Sequence, residues 1–175
     1  QTTDDAQPSA PSANLEVTTL EATYIDQSRP TPRSGDTPAQ PTRTLEATAF
    51  LPEGEGPYPL LVFSHGLGAA VDDYRPLIER IAGAGFVVVA PTFALTSSGT
   101  PGGPDAGDTE NQPGDVSFLV DTVLGAVEAG EEPYAGLVDP EQGGCLVVAV
   151  DLGLGLDLAA HVGGCQRCCA DAGAP

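Results

Sequence analysis

The stretch Leu60-Leu61-Val62-Phe63-Ser64-His65-Gly66-Leu67-Gly68-Ala69, with Gly85-Phe86-Val87-Val88-Val89-Ala90-Pro91 after it, decides how this chain folds. Each begins with or contains an apolar run of four or five residues bounded by turn formers. Such a run has no polar face to offer water, which is the pattern of a strand buried on both sides, as in a parallel sheet. Between the runs, Tyr74, Leu77, Ile78, Ile81 and Ala82 recur at helical spacing along one stripe. Asp72 or Asp73 can cap that helix, and Gly83 and Gly85 can stop it. Strand, helix and strand with short connections make a βαβ unit, whose two strands lie parallel.

Upstream, residues 43–51 alternate, with Leu45, Ala47, Ala49 and Leu51 on one face and Thr44, Glu46, Thr48 and Phe50 on the other. That is the period of a strand with one face buried. Residues 20–25 read as an earlier strand, and the early pair can be antiparallel to the rest. Residues 30–41 between them are a Pro/Gly/Ser loop. Downstream, residues 92–114 form a long polar loop, in which Asp105, Asp108 and Glu110 lack the spacing of a calcium loop and read as solvated. Asp115 then caps a second helix, with Val116, Leu119, Val120, Val123, Leu124 and Val127 as its buried stripe and Gly130 as its end. Residues 134–140 lead into a third apolar strand at 145–150. Helices over 73–84 and 115–129 are expected to cover the two faces of the sheet.

The charge balance excludes several functions. The 175 residues carry six Arg, no Lys and 25 Asp or Glu, a net charge of −19. Phosphate neutralisation needs clustered cations, so nucleic acid is not the expected partner, nor is an anionic membrane surface. The longest apolar run, residues 145–150, is far short of the roughly 20 residues that a membrane helix needs. Acidity of this kind reads as solubility or a salty habitat rather than as a cationic substrate. Residues 1–14 form a polar, Pro/Ser-rich lead-in, and residues 15–175 a single partial domain with an atypical tail over 141–175. With no Met in the chain, that lead-in resembles a segment following an export signal, so a secreted or extracytoplasmic location is expected. Cys145, Cys165, Cys168 and Cys169 all fall in the tail. Cys165 and Cys168 have zinc-knuckle spacing, with His161 as a third ligand, but a closed zinc site wants four. A disulfide or buried thiols are the alternatives, and no metal is assigned.

The Phe63-Ser64-His65-Gly66-Leu67-Gly68-Ala69 turn and the Gly85–Pro91 strand resemble those of the α/β-hydrolases, as do Asn111-Gln112-Pro113 and Gly136-Leu137-Val138-Asp139-Pro140. Within them the chain is most similar to the platelet-activating-factor-acetylhydrolase-like esterases and the related polyester and dienelactone hydrolases, from about Leu20 to Pro140. The resemblance implies a three-layer αβα fold with a mainly parallel sheet, truncated after the nucleophile-elbow strand. It implies hydrolysis of carboxylic esters of lipid or polyester type, small or polymeric, with no metal or organic cofactor. Ester hydrolysis builds negative charge on a carbonyl oxygen, which preorganised N–H groups stabilise. By the resemblance, Leu67 supplies one such N–H, and His65, Gly66 and Gly68 line the substrate crevice, the glycines letting the backbone come close.

The chain departs from the family at the nucleophile. A Gly-x-Ser-x-Gly elbow belongs just after the third apolar strand, but the segment reads Ala149-Val150-Asp151-Leu152-Gly153-Leu154-Gly155, and the last serine is Ser117. The histidines are His65 and His161, neither at the position of the family's general base. Asp151 caps the following helix on one reading. On the other it is a carboxylate nucleophile, as in haloalkane dehalogenases and epoxide hydrolases, with Leu152 as the second oxyanion N–H. Residues 1–140 hold 23 Ser and Thr and residues 141–175 none, where roughly six are expected from a chain of steady composition. Either a change of reading frame near Glu141 or natural divergence of the tail accounts for this, and the coding DNA distinguishes them. Three functions follow: an ester-hydrolase lineage inactive as written, a non-catalytic acidic exported remnant, or an aspartate-nucleophile hydrolase.

Overall fold

A computed structural model describes residues 14–146, with side chains to residue 141. Five strands form one mixed sheet: β1 Val17–Asp26, β2 Arg43–Pro52, β3 Tyr58–Phe63, β4 Val87–Thr92 and β5 Val138–Leu146. Their spatial order is β1-β2-β4-β3-β5. β1 and β2 run antiparallel, as do β2 and β4, while β3 is parallel to both β4 and β5. The βαβ unit expected around the Ser64-His65-Gly66 turn is present, with α1 (Arg75–Gly83) as its crossover. A second helix, α2 (Gln112–Ala129), packs on the other side.

The pleat sorts the core into two faces. Val87 and Val89 of β4, Leu60 and Val62 of β3, and Leu45, Ala47, Ala49 and Leu51 of β2 face α2, where Val116, Leu119 and Val123 close over them. Val88, Ala90, Leu61, Phe63 and Phe50 face α1 and pack on Ile78 and Ala82. Phe50, placed on the polar face of β2 by the alternation, is fully buried. With nine residues, about 14 Å of helix, α1 covers only the Phe50 end of β2. Glu46, on the same face, stays exposed.

Several boundaries differ from the sequence reading. The first helix opens with a 3₁₀ turn, Val71–Tyr74, in which the Asp73 carboxylate accepts the Ala70 N–H. Proline does not close β4: Pro91 lies inside it, opposite Ala47 of β2. The ladder to β3 has already ended at the Val62–Val89 pair, so only one side of β4 can lose a bond to the missing N–H. β5 starts at Val138, not Cys145, because Val138 and Asp139 pair with Tyr58 and Pro59 before an irregularity shifts the register to the Leu61–Gly144 pair. Gly143 and Gly144 carry no side chain for an alternation to reveal. Residues 30–41 carry two antiparallel bridges, Thr31 with Gln40 and Ser34 with Thr37.

Candidate active-site crevice

β3, β4 and β5 are parallel, so their C-terminal ends share one side of the sheet, where open α/β folds place ligands. β2 runs the other way, which brings its first residue, Arg43, to that same side. Two described loops meet there: residues 64–70 after β3 and residues 93–105 after β4.

His65 joins them. Its side chain is buried, and both ring nitrogens are engaged. The Phe93 N–H donates to Nε2 at 3.2 Å, and Nδ1 lies 2.9 Å from the Gly66 carbonyl oxygen. A backbone N–H can only donate and a carbonyl can only accept, so His65 is the neutral Nδ1–H tautomer. Burial lowers its pKa below the ordinary value, with the Gly66 carbonyl and Asp73 opposing. A protonated ring would turn a second N–H against the Phe93 N–H. His65 therefore holds the turn in place and offers no free lone pair for proton transfer.

The turn is further fixed by Gly68 N–H to the Thr96 carbonyl at 2.8 Å, Ser98 N–H to the Ala69 carbonyl at 3.1 Å and Ala69 N–H to the Gly66 carbonyl at 3.1 Å. Gly68 sits at φ 74°, where a side chain strains the backbone. Space is not the constraint, since an added Cβ would meet only Pro104 Cγ at 3.6 Å. Leu67 N–H has no hydrogen-bond partner among the described residues, and the Leu67 side chain is exposed. Ser64 Oγ is buried and likewise without a partner among the described residues. Asp151, Leu152, His161 and three of the cysteines, Cys165, Cys168 and Cys169, lie outside the described residues, as does the side chain of Cys145.

Beside this turn is an ion-pair cluster that the sequence reading missed. Arg43 is 1% exposed, yet all its guanidinium nitrogens bond to carboxylates. Nε and Nη2 donate to Asp115 at 2.6 and 2.7 Å, and Nη1 and Nη2 donate to Asp108 at 3.1 and 2.7 Å. Burial works against the charge on Arg43, but the bonds to Asp115 and Asp108 outweigh it and raise its pKa. Arg29 donates to Asp26 at 2.6 Å and to Asp115 at 2.9 Å. Although burial opposes it, hydrogen bonds from Ser28 and Arg29 hold the Asp26 carboxyl at about 2. Asp115 is thus no helix cap. It is the fourth residue of α2, fully buried, and Asn111 occupies the cap position. Asp108 is no solvated loop residue either, because two positive guanidinium N–H groups take it out of water. Gly114 makes room for this, since a Cβ there would lie 2.5 Å from Arg29 Nη1. No group of three or more His, Cys, Asp or Glu among the described residues is arranged to hold a metal.

The chlorophyllase family model matches residues 16–162, most of the chain and all five strands. The chain belongs to the chlorophyllase family, a branch of the α/β-hydrolases. Among solved structures, the ferulic acid esterase from Streptomyces cinnamoneus superposes with a TM-score of 0.59 at 18% identity, over 79% of this chain and 53% of that one. The likeness shows a shared fold, and the chain spans about half the length of that esterase. A hypothetical protein from Pseudomonas aeruginosa is 22% identical with a TM-score of 0.49, over 74% of this chain and 35% of its own. With β1 and β2 leading antiparallel into a parallel βαβ core, this chlorophyllase-family chain has the mixed sheet of an α/β-hydrolase. No helix among the described residues is long and apolar enough to cross a membrane.

Proposed function

We propose that this chain carries the oxyanion-binding half of a carboxylic-ester hydrolase and, as written, does not turn ester over at an enzyme-like rate. The observation that carries the reading is the Leu67 N–H, without a partner among the described residues, on a turn braced by the neighbouring hydrogen bonds. A nucleophile adding to an ester carbonyl moves the π electrons onto oxygen, and an N–H already aimed at that oxygen stabilises the charge without reorganising. Family membership supports an ester as the substrate class, and the lipid or polyester type follows from the sequence resemblance of residues 63–69 and 85–91. A secreted or extracytoplasmic site of action rests on the polar, Pro/Ser-rich composition of residues 1–14. Asp151 stands where the elbow serine is needed, and Leu152 is the residue whose N–H would complete the hole.

Hydrolysis of p-nitrophenyl butyrate by the 175-residue chain tests this. An oxyanion hole without its triad leaves an acceleration of roughly 10³–10⁴-fold over water in a well-formed site. The expected result is at most that slow, burst-free release, the same in Asp151→Ala. A stoichiometric burst followed by turnover, abolished in Asp151→Ala, makes Asp151 the nucleophile and overturns the proposal.

A further inference from the structure

The Asn111-Gln112-Pro113 segment is part of the family resemblance, yet ester chemistry assigns it no task. Its middle residue begins α2. Gln112 Nε2 donates to Thr96 Oγ1 at 2.9 Å. Thr96 is fully buried, and its carbonyl accepts the Gly68 N–H at 2.8 Å. One residue therefore faces both ways: its hydroxyl toward α2, its carbonyl toward the turn that presents Leu67. The helix end behind Gln112 is a fixed post. Asp115, one turn further on, is gripped by Arg43 and Arg29, and Arg29 Nη1 also lies 3.4 Å from the Asn111 carbonyl oxygen.

We infer that Gln112 is a positioning residue for the oxyanion turn, acting through Thr96 on Gly68 and so on the direction of the Leu67 N–H. This rests on the oxyanion reading of Leu67 given above. At its tip the turn has no buried apolar side chain to hold it, since Leu67 is exposed and Gly68 has no side chain, while His65 and Ala69 are buried on either side. Its geometry depends on the hydrogen bonds that cross to the second loop, and the Thr96 carbonyl is the one nearest the Leu67 peptide along the chain. Freed from Gln112, Thr96 can move, and Gly68 moves with it. A shift of about 1 Å in a positioned donor is enough to matter chemically.

Residue-resolved amide exchange by NMR on the full chain tests this, with p-nitrophenyl methylphosphonate as a stable tetrahedral anion. Gln112→Leu and Thr96→Val should each raise Gly68 amide exchange roughly tenfold, about the effect of one lost hydrogen bond. Val62 and Val88 in the core strands should be unchanged. Gln112→Glu should restore the wild-type rate, because the Thr96 hydroxyl then donates to the carboxylate. In wild type the anion should shift the Leu67 amide resonance, and its affinity should fall several-fold in Gln112→Leu and recover in Gln112→Glu. If Gly68 exchange and anion affinity are the same in wild type and folded Thr96→Val, the positioning role is wrong. If Gly68 responds but no concentration of anion moves Leu67, the oxyanion reading fails, and with it the functional sense of the relay. Should Gln112→Leu unfold, Thr96→Val, which keeps the backbone carbonyl and the side-chain volume, decides alone.

Discussion

Arg43 is a cation at the start of a strand, with an ordinary alternating pattern behind it, and nothing local announces its role. Its five N–H donors make a fork, and the fork meets Asp108 and Asp115 along two edges. Lysine keeps the charge but has one nitrogen to offer, so Arg43→Lys leaves carboxylate oxygens buried without donors. We expect it to destabilise the fold by about 2–4 kcal/mol and Arg43→Ala by about 3–5 kcal/mol, the range for breaking a buried pair. Urea denaturation followed by circular dichroism measures both, and an Arg43→Lys midpoint equal to wild type contradicts the assignment. His65 makes a different prediction. Its folded pKa lies below the ordinary 6.5, so the unfolded chain binds the extra proton first. The contribution of neutral His65 is fully present above pH 6.5 and is lost as the pH falls through 6.5 toward the folded value. Urea midpoints should drop between about pH 8 and pH 5.5, and His65→Asn should flatten that part of the profile.

Among the elements, α2 carries the most. Its stripe closes over β2, β3 and β4 on one face of the sheet, and its first turn holds both the Asp115 ion pair and the Gln112–Thr96 bond. Leu119 is fully buried against Leu45, Val62 and Phe93. Leu119→Ala should therefore destabilise by about 2–4 kcal/mol through lost transfer energy and a residual cavity. Because Phe93 donates its N–H to His65, we expect the same substitution to raise amide exchange at Phe93 more than at Val88, on the opposite face. Equal changes at the two amides would show that α2 and the crevice loops are not coupled in this way. The start of this helix was legible only in part. An acidic residue just before an apolar stripe is the usual cap signal, and Asp115 matches it. The true helix begins three residues earlier because Pro113 is well tolerated in a first turn, and Asp115 is left to point inward.

For the whole molecule, a net charge of −19 on 175 residues sets a repulsion that the compact state must overcome. Raising salt from about 0.01 M to about 1 M shortens the Debye length from roughly 30 Å to about 3 Å. We expect the melting temperature to rise with salt, because exposed carboxylates repel less, while the buried Arg43 cluster is screened little. A melting temperature that falls with sodium chloride would mean that attractive surface pairs, such as Arg75 with Asp72, outweigh the repulsion.

What the sequence determined by itself is whatever repeats over neighbouring residues. The apolar runs at Leu60 and Val87, the stripes of α1 and α2, and the alternation of β2 each report a periodic burial that any window of ten residues contains, and with them the βαβ unit and the turn at Gly66, Leu67 and Gly68. What only the tertiary structure decided lies between residues 65 to 86 positions apart, as Arg43 is from Asp108 and Asp115, and Arg29 from Asp115. Their charges look solvated in sequence, because exposure is the rule for an isolated carboxylate and burial follows only when a distant partner arrives. The same reason hid Gln112: a polar residue at a helix start has no periodicity to betray that its amide reaches a buried threonine on another loop.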